Sequence, residues 1–130
     1  MIDPATKSLV RNRAGNRCEY CRISQDHLPA SAFHTEHVVP RQHQGSDDPG
    51  NLALSCDRCN FHKGPNLSAI DPASGDVVLL FNPRKDRWHD HFRLTQAQVV
   101  GLTAVGRATV RLLNMNAAGR VELRRDTGQS

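Results

Sequence analysis

At 130 residues the chain is the size of one ordinary domain, and an apolar fraction of 38% with four Phe, one Trp and one Tyr gives it a light core that would gain from a metal or disulfide staple. Seventeen Lys and Arg against thirteen Asp and Glu leave a net charge of +4; only Lys7, Lys63 and Lys85 are lysines, so the cations are mostly arginine, which suits phosphate contacts and permits nucleic acid as a partner. "MIDPATKSLVRNRAG" holds no apolar signal region and no window reaches the length of a membrane span, so the expectation is a soluble cytoplasmic protein whose four cysteines stay reduced.

Asp3 and Pro4 read as an N-cap and first helical position, predicting a short helix over "ATKSLVRNRA" that stops at Gly15 and delivers the chain to Cys18. "CEYC" makes a knuckle, and "ISQDHLPASA" is a polar connection. "FHTEHVV" is rich in β-branched and aromatic residues and predicts a strand ended by Pro40. "RQHQGSDDPGN" is a loop by composition, "NLALSC" a second extended piece, and "CDRCNFHK" a short helix closed by Gly64 and Pro65. Beyond residue 66 the turn-rich "NLSAIDPASGD" precedes a strand at "VVLLF", a cationic segment "NPRKDRWHDHFR" and a strand at "QVVGL". Thr103 caps a predicted helix whose Val105, Ala108, Leu112 and Met115 form a core stripe, "VELRR" reads as a last strand, and "DTGQS" as a frayed tail. These elements predict an α+β fold, divided into residues 1–66 and an extension over 67–130 packed on them.

Cys18-x-x-Cys21 and Cys56-x-x-Cys59 have the spacing that lets two pairs of thiolates grip one tetrahedral zinc. A thioredoxin-like redox pair is disfavoured, because neither pair opens a helix inside a βαβ pattern. Four thiolates leave no open coordination position, so this ion would be structural, holding "HTEH" against the helix that begins near Cys56.

The knuckles surround Glu36-His37 and Asn51-Leu52, with Asn60 directly after Cys59 and Lys63 three residues later. This joint pattern over residues 18 to 64 resembles the HNH endonuclease family in its zinc-stapled form, and "RAGNRCEYC" and "FNPRKDRWHDHF" resemble the flanks of bacterial members of this size. The resemblance implies a ββα-metal fold and metal-dependent hydrolysis of DNA phosphodiesters. It implies His37 as general base, a role suited by a side chain whose ordinary pKa near 6.5 leaves it neutral at neutral pH. It implies Glu36 and Asn60 as ligands of a catalytic Mg²⁺ or Mn²⁺, both supplying the hard oxygen donors such ions prefer, and Asn51 as the amide that ties the loop between the strands. Asn60 stands where many members carry a third histidine, and Glu36 where aspartate is frequent.

Strand alternation puts His34 on the side of Glu36, and His37 on the other, so His34 is a possible auxiliary ligand. His62, two positions past Asn60, is another; otherwise these histidines, with His43, His89 and His91, belong to packing or solvent. Lys63 either contacts backbone phosphate or places favourable charge at a helix C-terminus. Arg84, Lys85, Arg87 and Arg93 make a phosphate-tracking patch or a solvated face, while Trp88 and Phe92 read as core. Two rivals stand beside the nuclease reading: a zinc-stapled nucleic-acid-binding module without cleavage, and a domain whose second half binds protein.

Overall fold

The computed structural model describes residues 1–129 and has an α+β architecture. Helix α1 (Pro4–Arg13) begins where Asp3 accepts a 2.7 Å hydrogen bond from the Thr6 amide, and the chain leaves it through Gly15 at φ +64°. Arg13 then donates to the Pro49 and Leu52 carbonyls at 3.0 and 2.7 Å, seating α1 beside the first sheet. That sheet is the antiparallel pair β1 (His34–His37) and β2 (Leu52–Ser55), in register His34↔Ser55 through His37↔Leu52. All of β2 is buried, and helix α2 (Asp57–Lys63) follows it directly, capped by the Cys56 sulfur and ended by Gly64.

Between β1 and β2 the chain makes two short helical turns and reverses at Gly45, where a Cβ would lie 1.6 Å from the Val39 carbonyl oxygen, so only glycine fits. Asn51 closes this loop with three hydrogen bonds: it accepts from the Val39 amide at 2.9 Å and donates to the Val39 and Ser46 carbonyls at 3.0 and 2.8 Å.

Past residue 66 come the antiparallel pairs β3 (Ser68–Ile70) with β4 (Val77–Leu79), and β5 (Phe92–Thr95) with β6 (Gln98–Gly101), the one-turn helix α3 (Trp88–His91) lying between them. Helix α4 (Ala104–Leu112) starts on the Thr103 cap and lies so close to β6 that a Cβ on Gly101 would meet the Arg107 amide nitrogen at 2.4 Å. Helix α5 (Ala118–Asp126) completes the order.

Four sequence expectations change. "VELRR" lies inside α5 rather than a strand, because its inward positions are Arg120 and Arg124, four apart as a helix face requires. "SAI" in the turn-rich segment forms β3, since Ile70 pairs with Val77. The "VVLLF" strand stops at Leu79, where Leu80 and Phe81 turn into the core. In the core stripe, Ala108 and Met115 are buried while Val105 and Leu112 are only partly so.

One hydrophobic cluster joins both parts of the chain, running from Val10, Ile23 and Leu54 to Phe81, Trp88, Phe92 and Leu113. Trp88 donates through Nε1 to the Tyr20 carbonyl at 2.7 Å, inside the first knuckle. Phe81 meets Phe92 edge-on at 5.1 Å and Tyr20 at 6.4 Å. Each such ring, fully buried, contributes about 1.5–3 kcal/mol. The β3–β4 pair is different: Ile70, Val77 and Leu79 point outward and are exposed.

Candidate functional site

The four cysteines converge as their spacing predicts. Their sulfurs lie within 4.8 Å of one another, all four residues are buried, and Cys21 and Cys56 are 3.7 Å apart. Tetrahedral metal–sulfur bonds of about 2.3 Å would set sulfurs about 3.8 Å apart, so the quartet fits an ion of zinc's size. The knuckles are already shaped for thiolates: the Cys21 amide donates to Cys18 Sγ at 3.5 Å and the Cys59 amide to Cys56 Sγ at 3.4 Å. Burial pushes the Cys18 thiol up, a cost that a bound cation relieves. Arg120 of α5 donates to Asp57 at 2.8 Å, is 8% exposed, and has Nη1 buried without a hydrogen-bond partner among the described residues. The Cys56 and Cys21 thiolates are near enough for their charge to act on it.

Glu36 sits on the face of β1 turned toward α2, is 7% exposed, and lies 3.7 Å from Lys63 Nζ. Lys63 reaches neither phosphate nor solvent. It is 2% exposed and donates to the Val38 carbonyl at 3.0 Å and the His37 carbonyl at 3.4 Å. It stands in the last turn of α2, as the helix-terminus reading has it, and the end of β1 offers carbonyls that its buried ammonium can satisfy. Burial lifts the Glu36 carboxyl to about 6 against the opposing pull of Lys63 and of the Tyr20 hydroxyl. Glu36 Oε1 has no hydrogen-bond partner among the described residues. A buried carboxylate oxygen left open in this way is a donor that a hard divalent cation would complete.

Alternation along β1 holds. His34 shares the side of Glu36 at the open end of the strand, where it rims a groove of about 560 Å³ with Asp57, Arg58, Asn60, Phe61 and His62. Asn60 and His62 therefore share this groove with His34, whereas neither Glu36 nor His37 lines it. His37 turns to the loop, where its Nε2 lies 2.7 Å from Asp47 Oδ1. Arg41 Nη2 donates to both Asp47 oxygens at 2.9 and 3.1 Å, and the Met1 amine lies 3.3 Å from Oδ2. His37 and Arg41 hold the Asp47 carboxyl well below the usual range. Sequence reasoning passed over Asp47, since "GSDDPGN" offers two adjacent aspartates and only the fold of the loop selects one.

The remaining candidates divide. His43 bonds the Pro65 carbonyl at 3.1 Å, and His91 bonds Thr103 at 2.7 Å. Arg84 is paired with the buried Glu19 of the first knuckle, so the cationic patch read from the sequence loses one of its four members. Trp88 and Phe92 are core.

Residues 18–66 match the HNH endonuclease family. The matched segment contains both knuckles, the β1–β2 pair and α2, so the HNH domain coincides with the elements that carry the quartet, Glu36, His37, Asn51 and Asn60. Outside it the likeness continues: the chain is 27% identical over 120 residues to the Septu protein PtuB of Bacillus thuringiensis, across 91% of this chain and 44% of that protein. The chain thus spans less than half the length of the curated relative it matches. No solved structure matches. Among the described residues no helix is long and apolar enough to cross a membrane.

Proposed function

We propose that this HNH domain is a metal-dependent endonuclease that hydrolyses DNA phosphodiesters, with His37 as the general base. The observation that carries the reading is the packing of α2 on β1 within the matched segment, which sets the Glu36-His37 step and Asn60 on adjoining elements. His37 would take a proton from the attacking water. Glu36 and Asn60 would hold the catalytic ion, Mg²⁺ or Mn²⁺ by their oxygen donors. When bound, that ion supplies charge stabilisation at the phosphate and the departing 3′ oxygen. Asn51 supports the site by fixing the loop that follows His37, and Lys63 orients Glu36 while holding the end of β1. His34 and His62, rimming the groove with Asn60, are auxiliary contacts to the ion or the DNA.

Zinc in the Cys18, Cys21, Cys56 and Cys59 quartet would be structural. Residues 1–66 would form the nuclease core and 67–130 an extension packed on it, the packing being supported by the Trp88 bond to Tyr20 and the Arg120 bond to Asp57. A reducing cytoplasm would keep the quartet in the thiolate form.

Supercoiled plasmid incubated with wild type and with His37→Ala, in Mg²⁺ or Mn²⁺ and with chelator, tests the reading. Wild type should nick or linearise the plasmid only with added ion, and His37→Ala should be slower by roughly 10²–10⁴-fold. Nicking that survives His37→Ala would sink the mechanism. The approach of Lys63 to Glu36 favours a second reading, a binding module without cleavage, in which the lysine occupies the carboxylate that an ion would need. Wild type that shifts DNA in gels and never cuts it would establish that alternative.

A further inference from the structure

The loop between β1 and β2 brings one carboxylate to the ring of His37, and its construction leaves that carboxylate little freedom. Asn51 bonds the Ser46 carbonyl immediately before Asp47, Gly45 is locked against Val39, and Gln44 adopts the left-handed region at φ +68° to make the turn. Arg41 grips both oxygens of Asp47 from the other side.

We propose that Asp47 is a positioning residue for His37, holding the imidazole as the Nε2–H tautomer and leaving the Nδ1 lone pair to accept a proton. The inference rests on the reading of His37 as the base. An ionised carboxylate can only accept, so at 2.7 Å a neutral ring carries its hydrogen on Nε2. Which ring nitrogen carries the proton is set by the hydrogen bond the other atom makes, and here a single partner sets it. The contact also fixes the rotation of the ring, which is 18% exposed and would otherwise turn toward solvent.

Arg41 is the positioning residue's own anchor. By occupying both oxygens of Asp47 it keeps the acceptor ionised and in place against Nε2. As a surface ion pair the arrangement adds little to stability. Its effect is on geometry, where small misplacement of a reacting group costs about 10²-fold in rate.

The test uses the full chain with its quartet metal loaded, as wild type, His37→Ala, Asp47→Ala and Asp47→Glu. Long-range ¹H–¹⁵N correlation spectra of histidine-labelled protein, with the His37 signals assigned by their loss in His37→Ala, read the tautomer directly. Wild type should show protonated Nε2, and Asp47→Ala a mixture of tautomers. Single-turnover cleavage of plasmid at saturating protein should slow roughly 10–100-fold in Asp47→Ala with unchanged DNA affinity, and Asp47→Glu should recover part of the loss. An unchanged His37 tautomer in Asp47→Ala overturns the proposal whether or not wild type cleaves, and so does a full cleavage rate in that variant when His37→Ala is inactive. Cleavage that survives His37→Ala instead sinks the assignment of the base.

Discussion

Lys63 is a surface cation by composition and an interior one in the fold, and the difference sets how Glu36 behaves. A carboxyl buried beside one ammonium, with Oε1 unpartnered, is held at about 6 instead of its ordinary 4.5. The folded state therefore keeps a proton between those values that the unfolded chain has released. Stability from this group is fullest below about 4.5 and falls as pH rises through 6, by about 2 kcal/mol. Thermal melts of quartet-loaded protein without added Mg²⁺ should show that decline from pH 4.5 to 7, and Glu36→Gln should flatten it. Equal slopes in the two proteins would mean that the carboxyl is not strained by burial. At this scale Glu36, His37, Asn51 and Asn60 were visible in the sequence as residue types at a spacing. It could not display Asp47, because its selection over Asp48 is made by Gly45 and Asn51 acting on the backbone between them.

Among the elements, those with a local stop or start were readable. Asp3-Pro4 and Thr103 each cap the helix they predict, with bonds to Thr6 and Gly106, and the helix read at "CDRCNFHK" ends at Gly64 as expected. Helix α5 was hidden because hydrophobic periodicity cannot register a face whose buried members are Arg120 and Arg124. Arg124 is completely buried and donates through its Nη atoms to the Ala97 and Met115 carbonyls at 3.2 and 2.9 Å, partners that no local pattern reveals. The β3–β4 turn is joined to α4 in a similar way, by the bidentate pair of Arg107 with the fully buried Asp71, both contacts 2.9 Å. Arg107→Ala should lower the urea midpoint, because it takes the bidentate partner from the Asp71 carboxylate. A change within a few tenths of a kcal/mol would show that Ser74 and the turn amides satisfy Asp71 unaided.

In the whole molecule the quartet ties the parts together. Thirty-four residues lie between Cys21 and Cys56, and they carry His34, Glu36, His37, Asp47 and Asn51. Cys18→Ser should abolish stoichiometric zinc and cooperative unfolding together, since the binding energy of such an ion is folding energy. One zinc per chain retained in that variant would disprove the ligand set. A loaded quartet carries two negative charges, and Arg120 lies against it from the far end of the chain. Arg120→Gln is expected to release zinc to a chromogenic chelator 10–100-fold faster than wild type. An unchanged release rate would confine Arg120 to its bond with Asp57.

The β3–β4 hairpin has a consequence for how the protein behaves in concentrated solution. Two short strands with no third neighbour leave both edges open, and Ile70, Val77 and Leu79 give their outer face an apolar coat. Open edges beside exposed aliphatic side chains template pairing between molecules. The hairpin is thus the place where this small basic protein is most prone to self-association and loss of solubility, and none of its residues lines the His34 groove.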